Sequence, residues 1–565
     1  MDPLIQLKSK KIVHDINKQT FRYYDVFLEL SGKKIFYLPY FSHASPTVRR
    51  KSGFLAPSYE QNSFLGNSFE IPYYIAINNQ HDLTLKPRFS TKRNPVAFIE
   101  HRKNFKNGEI FSEISGTISE QNVNVLKKSK NRGHVFSKGN FDINNFMRFA
   151  YKIHRSTDRN YLQAYKYKYE DVLDSQLNLE AFNKFNHYRI NASAFQDLRP
   201  SIDKQKTPFI APRISANLNS SFSLDSWNNN TNIEILNIQR NSGTQLNKVF
   251  ISHNSQYPFL FADGSLVEFG MHLNIGGYKI QNYNDPLTGV FKEDYFRSQI
   301  YPQTTLSISK PFYKINKGTK KIIEPRFFFV GGANDGNDLH IPNEDSQNFD
   351  LDTSDLFNKN RLSGTDRVDN GSRVDYGINY VNQNLNDNSL TSVSIGQSFR
   401  LKKEAYASSN SGSNNYFSNI VGNIKFMPFK KFTFKSMFSI KSKNGALSYA
   451  VSDAYIGDEK NSLTLSHLLA SKTEGIETLS ISKRNQIGAG FSSKINDEWN
   501  FNSSTYFDLI DKIKFLNWNT KIIFENECFG FSFNWNRQYT YNNENPTSNN
   551  FMFKLSLKKI MENDL

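Results

Sequence analysis

Cysteine is almost missing: Cys528 is the only one in 565 residues. An intramolecular disulfide is therefore impossible within the chain, and a cysteine-rich zinc site is excluded. Apolar residues make up only 38% of the sequence, and the mean hydropathy is -0.59. No run of about 18 apolar residues occurs, which excludes a membrane-spanning helix. Catalytic signatures are absent too: there is no His-Glu-x-x-His, no Gly-x-Ser-x-Gly and no Gly-x-x-x-x-Gly-Lys. Gly488-Ala489-Gly490 is too short to cradle a phosphate. The eleven histidines are scattered. No catalytic residue, metal site or cofactor is expected. The net charge is +17, but a compact basic stripe is lacking. The densest runs, Lys127-Lys128-Ser129-Lys130 and Arg49-Arg50-Lys51, are short, so nucleic acid is not an expected partner. Such a thinly spread surplus suits anionic lipid headgroups or lipopolysaccharide. A secretory leader is not visible in Met1 to Lys8. Strand-like pattern is already present at Leu4, so the sequence is expected to be a fragment of a longer, exported precursor.

What is abundant is aromatic: 49 Phe and 28 Tyr. They fall on alternate positions. In Phe432 to Lys441 one face carries Phe432, Phe434, Phe438 and Ile440, the other Thr433, Lys435, Ser439 and Lys441. Phe529 to Asn536 and Phe551 to Lys558 alternate in the same way. Tyr165, Tyr167 and Tyr169 alternate with Lys166 and Lys168 and read as one more strand. Period 2 with one apolar and one polar face is a half-buried strand. Repeated over 500 residues, it suits a barrel with lipid outside and water inside. Clusters such as Asn228-Asn229-Asn230 and Asn542-Asn543-Glu544-Asn545 read as turns between strands. At roughly 20 residues per strand and connection, the sequence predicts on the order of 26 strands, within the single-chain range. Residues 1–52 read as a separate short β-segment, and 53–565 as the barrel. The alternatives are a passive porin or nutrient channel, and a soluble β-rich adhesin. A porin of this size is unusual, since such channels have roughly 16–18 strands.

Two prolines stand out. Pro57 and Pro72 lie fifteen residues apart in what read as the first two barrel strands. Each removes a ladder N–H. They either begin strands and mark bulges, or weaken a seam where the first strand meets the last, Phe551 to Lys558. In that last strand Phe551, Phe553, Leu555 and Leu557 are expected to face lipid, and Lys554 and Ser556 the lumen.

Several dense motifs carry a family resemblance. Tyr37-Leu38-Pro39-Tyr40-Phe41 and Arg49-Arg50-Lys51-Ser52-Gly53-Phe54-Leu55 come first. Ile71-Pro72-Tyr73-Tyr74 and Asp82 to Arg88 follow, then Ile323-Glu324-Pro325-Arg326 and the segment from Ile341 to Tyr380. Together these resemble the LPS-assembly outer-membrane protein family (LptD, the organic solvent tolerance proteins), over nearly the whole chain. The resemblance implies an all-β protein of the Gram-negative cell outer membrane. A closed antiparallel barrel would follow the remnant of a periplasmic β-jellyroll in residues 1–52. It implies a translocon, not an enzyme, that inserts lipopolysaccharide into the outer leaflet through a lateral gate at Pro57, Pro72, Phe551, Phe553 and Leu555. Its partners would be lipopolysaccharide, the periplasmic bridge proteins and a small LptE-like lipoprotein plug. The loop carrying Asp355, Arg361, Gly364, Asp366 and Arg367 would fold toward the lumen, hold Asp–Arg pairs and contact the plug. Glu525 to Phe529 resembles the family's C-terminal disulfide site, but a partner for Cys528 is absent from this sequence, and a buried free thiol is the other reading.

Overall fold

The computed structural model describes all residues except 1–4, 31, 46–47, 49, 124–125, 169, 221–225, 285–290, 348–349, 405–409, 473–481, 511, 527–529, 539–547 and 557–565. Three strands, Ile5–Asp15, Thr20–Leu30 and Lys33–Ala44, form a small antiparallel sheet in sequence order. The first turn falls at 16–19, after Asp15. Its carboxylate accepts the Lys18 N–H at 2.9 Å, as an Asp at a turn commonly does.

From Gly53 onward one antiparallel sheet of 30 segments takes over. Four of its breaks are local. Gly53–Phe54 continues into Ser58–Asn62 across Pro57, and Gly66–Glu70 into Tyr73–Asn78 across Pro72. His81–Leu85 continues into Arg88–Ser90 across Pro87, and Tyr295–Ser309 into Phe312–Asn316 across Pro311. Joined across these prolines, the segments make 26 strands among the described residues. Each pairs with its neighbour in sequence, and the last, Ser548–Ser556, pairs with the first. The pairing therefore closes on itself, which is a barrel.

The wall is apolar outside and polar inside, the reverse of a water-soluble core. Strand Leu266–Gln281 is representative. Phe269, Met271 and Leu273 are 41%, 46% and 36% exposed, while His272 and Tyr278 are buried. The connections are unequal. At one end they are tight, as at 79–80, 106–107, 145–146, 184–185, 317–318 and 430–431; at the other they include 157–171, 198–208, 282–294 and 333–372. Short turns at one rim and long loops at the other are usual in outer-membrane barrels.

Two local readings of the sequence fail. Asn228 to Asn230 is not a turn but the start of strand Asn228–Gln239. The asparagines form a side-chain ladder instead: Asn230 Nδ2 donates to Asn219 Oδ1 at 2.5 Å, and Asn232 Nδ2 to Asn230 Oδ1 at 2.7 Å. A polar barrel interior accommodates such residues in strands where a dry core would not. Tyr165 and Tyr167 are not in a strand either. They follow a single helical turn, Tyr161–Ala164, and their rings join an aromatic cluster with Tyr161 and Phe98 at the long-loop mouth. Burying those rings outweighs strand propensity.

Candidate functional site

Among the described residues, the closure of the barrel is its shortest interface between full strands. Ser548–Ser556 matches the first strand at four positions: Phe551 with Gln61, Met552 with Glu60, Phe553 with Tyr59 and Lys554 with Ser58. On its other edge the same strand matches nine positions, from Gly530–Ser556 to Gln538–Ser548. The short ladder ends at Ser58, beside Pro57. Phe551 and Phe553 sit on the same outer face as Phe531, Phe533 and Trp535, with ring centroids 5.9 Å apart for Phe531–Phe553 and 6.0 Å for Trp535–Phe551. Leu555 lies in the strand opposite Phe531; its side chain, with Leu557, lies outside the described residues.

Pro57 and Pro72 break the first and second strands, and a third proline breaks the third. Pro87 completes a series at 57, 72 and 87, a fifteen-residue spacing of which the sequence reading used only the first two members. At the second and third breaks the carbonyls remain engaged, while at all three the imino nitrogens cannot donate. Leu55 N–H donates to the Pro72 carbonyl at 2.9 Å, and Ile71 N–H to the Pro87 carbonyl at 3.2 Å. The inner face here is polar. Glu60, Asn62 and Ser68 are buried, with Asn62 Nδ2 donating to Glu60 Oε1 at 2.9 Å and Ser68 Oγ to the Glu60 carbonyl at 3.1 Å. At the short-turn rim Asp82 accepts from Arg102 Nε at 2.9 Å and pairs with Arg50, tying the junction segment to the wall.

The second cluster lies inside the barrel. The segment 333–372 folds inward and is held from both sides. Toward strands Asn228–Gln239 and Gln245–Leu260, Lys248 Nζ meets Asp366 Oδ1 at 2.6 Å and Thr365 Oγ1 at 2.6 Å. Arg240 meets Glu344 there, Nη1 to Oε1 at 2.9 Å. Toward strands Arg373–Asn384 and Leu390–Arg400, Asp369 is ringed by guanidinium groups. Arg373 Nη1 lies 3.0 Å and Arg361 Nε 3.8 Å from Asp369 Oδ2, and Arg400 pairs with the other oxygen. Arg361 and Arg373 share Asp375 as well. Arg373 and Asp375 have no exposed surface.

The predicted loop residues are thus close in space, but with other partners. Arg361 is met by Asp369 and Asp375, and Asp366 by Lys248. Asp366 Oδ2 also accepts the N–H groups of Glu344 and Asp345 at 2.8 and 3.1 Å. Asp355 stands apart, accepting the Asp352 N–H at 2.9 Å. Arg367 donates to the Ile341 carbonyl at 2.9 Å. Gly364 has φ +74°, and a Cβ there would meet the Asp345 carbonyl oxygen at 2.5 Å, so glycine is required. Arg400 and Lys248 were not singled out from the sequence as parts of this site. Only the fold brings them to it.

Electrostatics follow from burial. Burial would raise the Asp369 carboxyl, but Arg373, Arg400 and Arg361 outweigh it and hold the group below the usual carboxylate range. Asp355 goes the other way: burial, with Asp352 beside it, pushes it up to about 6. Burial pushes the Lys359 ammonium down to about 8. His154, Glu170 and Asp174 bring ligand atoms within 4.8 Å of one another. Asp174 already takes Lys152 and Gln176, and Glu170 takes Lys168 at 2.9 Å, so lysine ammonium groups fill a cation's place. Cys528 lies outside the described residues.

The geometry combines a short, proline-broken seam with a wet interior partly filled by a charged loop. The family model LptD, "LPS transport system D", matches residues 130–499. The LPS-assembly protein LptD of Methylococcus capsulatus is 24% identical over 404 residues, covering 66% of this chain and 36% of that protein. The LPS-assembly protein LptD of Idiomarina loihiensis is 21% identical over 531 residues, covering 90% and 66%. The chain thus spans at most 66% of the length of these relatives. Among solved structures, the ferric preacinetobactin receptor BauA of Acinetobacter baumannii aligns over 95% of this chain and 84% of its own, at 8% identity and a TM-score of 0.32. The siderophore receptor PirA of Pseudomonas aeruginosa aligns over 90% and 81%, at 7% identity and a TM-score of 0.33.

Proposed function

We infer that this chain, which belongs to the LptD (LPS transport system D) family, is an outer-membrane translocon that delivers lipopolysaccharide to the outer leaflet. One observation carries the reading: the barrel closes on four pairs, beside strands interrupted at Pro57, Pro72 and Pro87. A porin or nutrient channel has no use for a weak wall. A protein that must release a lipid sideways does. The acyl chains leave between the first and last strands, past Phe551, Phe553 and Leu555, while the sugars cross the polar lumen. No bond is made or broken in the substrate, so the protein is not an enzyme.

Residues 1–52 belong to the periplasmic β-jellyroll that receives lipopolysaccharide from the bridge proteins, and 53–565 form the barrel. The short-turn rim is periplasmic, since it carries the junction with the N-terminal sheet. The inward loop with Asp355, Arg361, Gly364, Asp366 and Arg367 gives a lipoprotein plug a rigid polar surface to dock on. Depletion of the protein in its host tests the function. Newly made lipopolysaccharide should stop reaching the cell surface and accumulate behind the outer membrane. Normal surface lipopolysaccharide with impaired uptake of small solutes would refute this reading and favour a channel.

A further inference from the structure

The seam does not end at the gate strands on the outer wall. Pairing sets residues in rows that cross the strands. One position beyond Ser58–Glu70, Pro57 stands opposite Ile71. Ile71 N–H reaches the Pro87 carbonyl. Two steps beyond the Ile99–Leu85 pair, Pro87 falls opposite Ala97. Ala97 pairs with Gly116, and Gly116 with Gly133. The row therefore runs from the seam residue Pro57 through Ile71, Pro87, Ala97 and Gly116 to Gly133. By alternation it faces outward, because Phe69, Phe89, Leu85 and Ile99 on the same strand faces are exposed.

After Ile71 the row is small. Across it the next outward row is bulky, with Ile99 paired to Ile114 and Ile114 to Val135. Small residues between large ones make a trough. A cavity of about 460 Å³ lies there, lined by Pro87, Pro95, Ala97, Gly116 and Ile118 among others. The loop 91–96 is pinned over its end: Asn94 Nδ2 donates to the Ile118 carbonyl and Thr117 Oγ1 to the Pro95 carbonyl, both at 2.8 Å. That loop also brings two cations to the long-loop rim. Arg93 lies 4.4 Å over the Phe64 ring, and Lys92 Nζ lies 3.3 Å from the Ser63 carbonyl. Neither has an ion pair among the described residues, and both are exposed.

We propose that this trough seats one acyl chain of a phosphorylated glycolipid of the outer leaflet, with Lys92 and Arg93 facing its phosphate. The trough continues the lipid-facing surface, so its occupant is a membrane lipid. Its apolar lining of Pro87, Pro95, Ala97 and Ile118 singles out a chain rather than a headgroup, and the cations at its rim select an anionic lipid. The row that holds it starts at the seam residue Pro57, two strands away from Pro87, so a released molecule moving along that row would reach it. The proposal rests on the outer-membrane placement inferred above.

The protein is reconstituted in lipid nanodiscs, and heat-modifiable migration first reports whether the barrel is folded there. Loss of that migration would fault the barrel reading itself, not the trough. Lipid A with a diazirine in one acyl chain is then photolysed and the adducts mapped. Adducts at Ala97, Gly116 and Ile118 should exceed those at the outward positions Ile190 and Ile275 by about tenfold, the ratio for a site favoured over bulk lipid by one decade. Gly116→Phe should remove the excess. It should also fold, because the nearest heavy atom to a Cβ at 116 is the Arg132 carbonyl oxygen at 4.0 Å. Lys92→Gln with Arg93→Gln should lower labelling by diphosphoryl lipid A and leave that by its dephosphorylated form unchanged. Uniform labelling around the barrel, or labelling indifferent to Gly116→Phe in a folded barrel, would overturn the proposal. Equal loss with both lipid forms would refute the phosphate contact.

Discussion

Locking the seam is the perturbation with the clearest expected size. The first and last strands share four pairs, while the last two strands share nine. With a net 0.5–1.5 kcal/mol per ladder hydrogen bond, parting the seam costs roughly 2–6 kcal/mol, against roughly 5–14 at the neighbouring interface. Both figures grow in hydrocarbon, where freed groups find no water. An opening of about 3 kcal/mol is populated at somewhat under one part in a hundred, enough to admit the proposed lateral release. A covalent crosslink removes that population. In a Cys528→Ser background, Tyr59→Cys with Phe553→Cys places two thiols on directly opposed positions. Oxidation should lower the appearance of lipopolysaccharide at the surface by at least about tenfold, and a reductant should restore it. The control uses the same last-strand position: Phe533→Cys with Phe553→Cys crosslinks the last two strands and should leave export unchanged. Pro57→Val, Pro72→Val and Pro87→Val each return one donor, and the triple variant should slow export without unfolding the barrel. Quantitative oxidation of the Tyr59→Cys, Phe553→Cys pair with normal export would show that the substrate leaves elsewhere.

The inward loop offers two further tests. Asp369→Asn leaves Arg361, Arg373 and Arg400 facing one another in a buried site, a loss of about 3–5 kcal/mol for a broken buried pair; amides of 333–372 should exchange faster while the barrel keeps its heat-modifiable migration, and unchanged exchange would count against the network. Asp355 is raised to about 6, so its contribution to loop stability is present below about pH 4 and is lost as pH rises through 6. Asp355→Asn keeps an oxygen acceptor for the Asp352 N–H, and should slow loop exchange at pH 7.5 by about 3 kcal/mol while doing little at pH 4; an equal effect at both pH values would refute the assignment.

Much of this was legible because it is covalent or periodic. Alternation in Phe432–Ile440 and Ser548–Ser556 follows from strand geometry, and a proline lacks its N–H wherever it sits. The number of strands was readable from spacing alone. What could not be read depends on partners distant in sequence. Asp355 is six residues from Arg361 and looked like its counter-ion, yet Asp369 and Asp375 take that place because strand Arg373–Asn384 runs beside the loop. Lys248 reaches Asp366 across 118 positions. The Asn228 cluster has turn composition, and only a wet interior makes it a strand. Tyr165 and Tyr167 alternate like strand residues but are drawn into the mouth by the aromatic cluster there.

The placement of the charged network gives the weak seam its meaning. Counted around the 26 strands, the inward loop fastens to those from Asn228–Gln239 to Ile420–Phe429, through Lys248 on one side and through Asn423, which donates to Thr353 Oγ1 at 3.0 Å, on the other. These strands lie halfway round the ring from the seam. A barrel opened by a lipid must concentrate its distortion somewhere, and buried charge pairs resist separation more strongly than ladder hydrogen bonds do. With the far wall bolted by Arg361, Arg373, Arg400 and Lys248, the proposed gate places the yielding at the four pairs beside Pro57. Loosening the bolts should therefore spread the opening around the ring. Asp369→Asn would then lower export even with the seam untouched, and would weaken the effect of the Tyr59–Phe553 crosslink on whatever transport remains. If the two perturbations instead act independently, with export in the Asp369→Asn protein as sensitive to the crosslink as in the parent, the far wall does not direct strain to the seam.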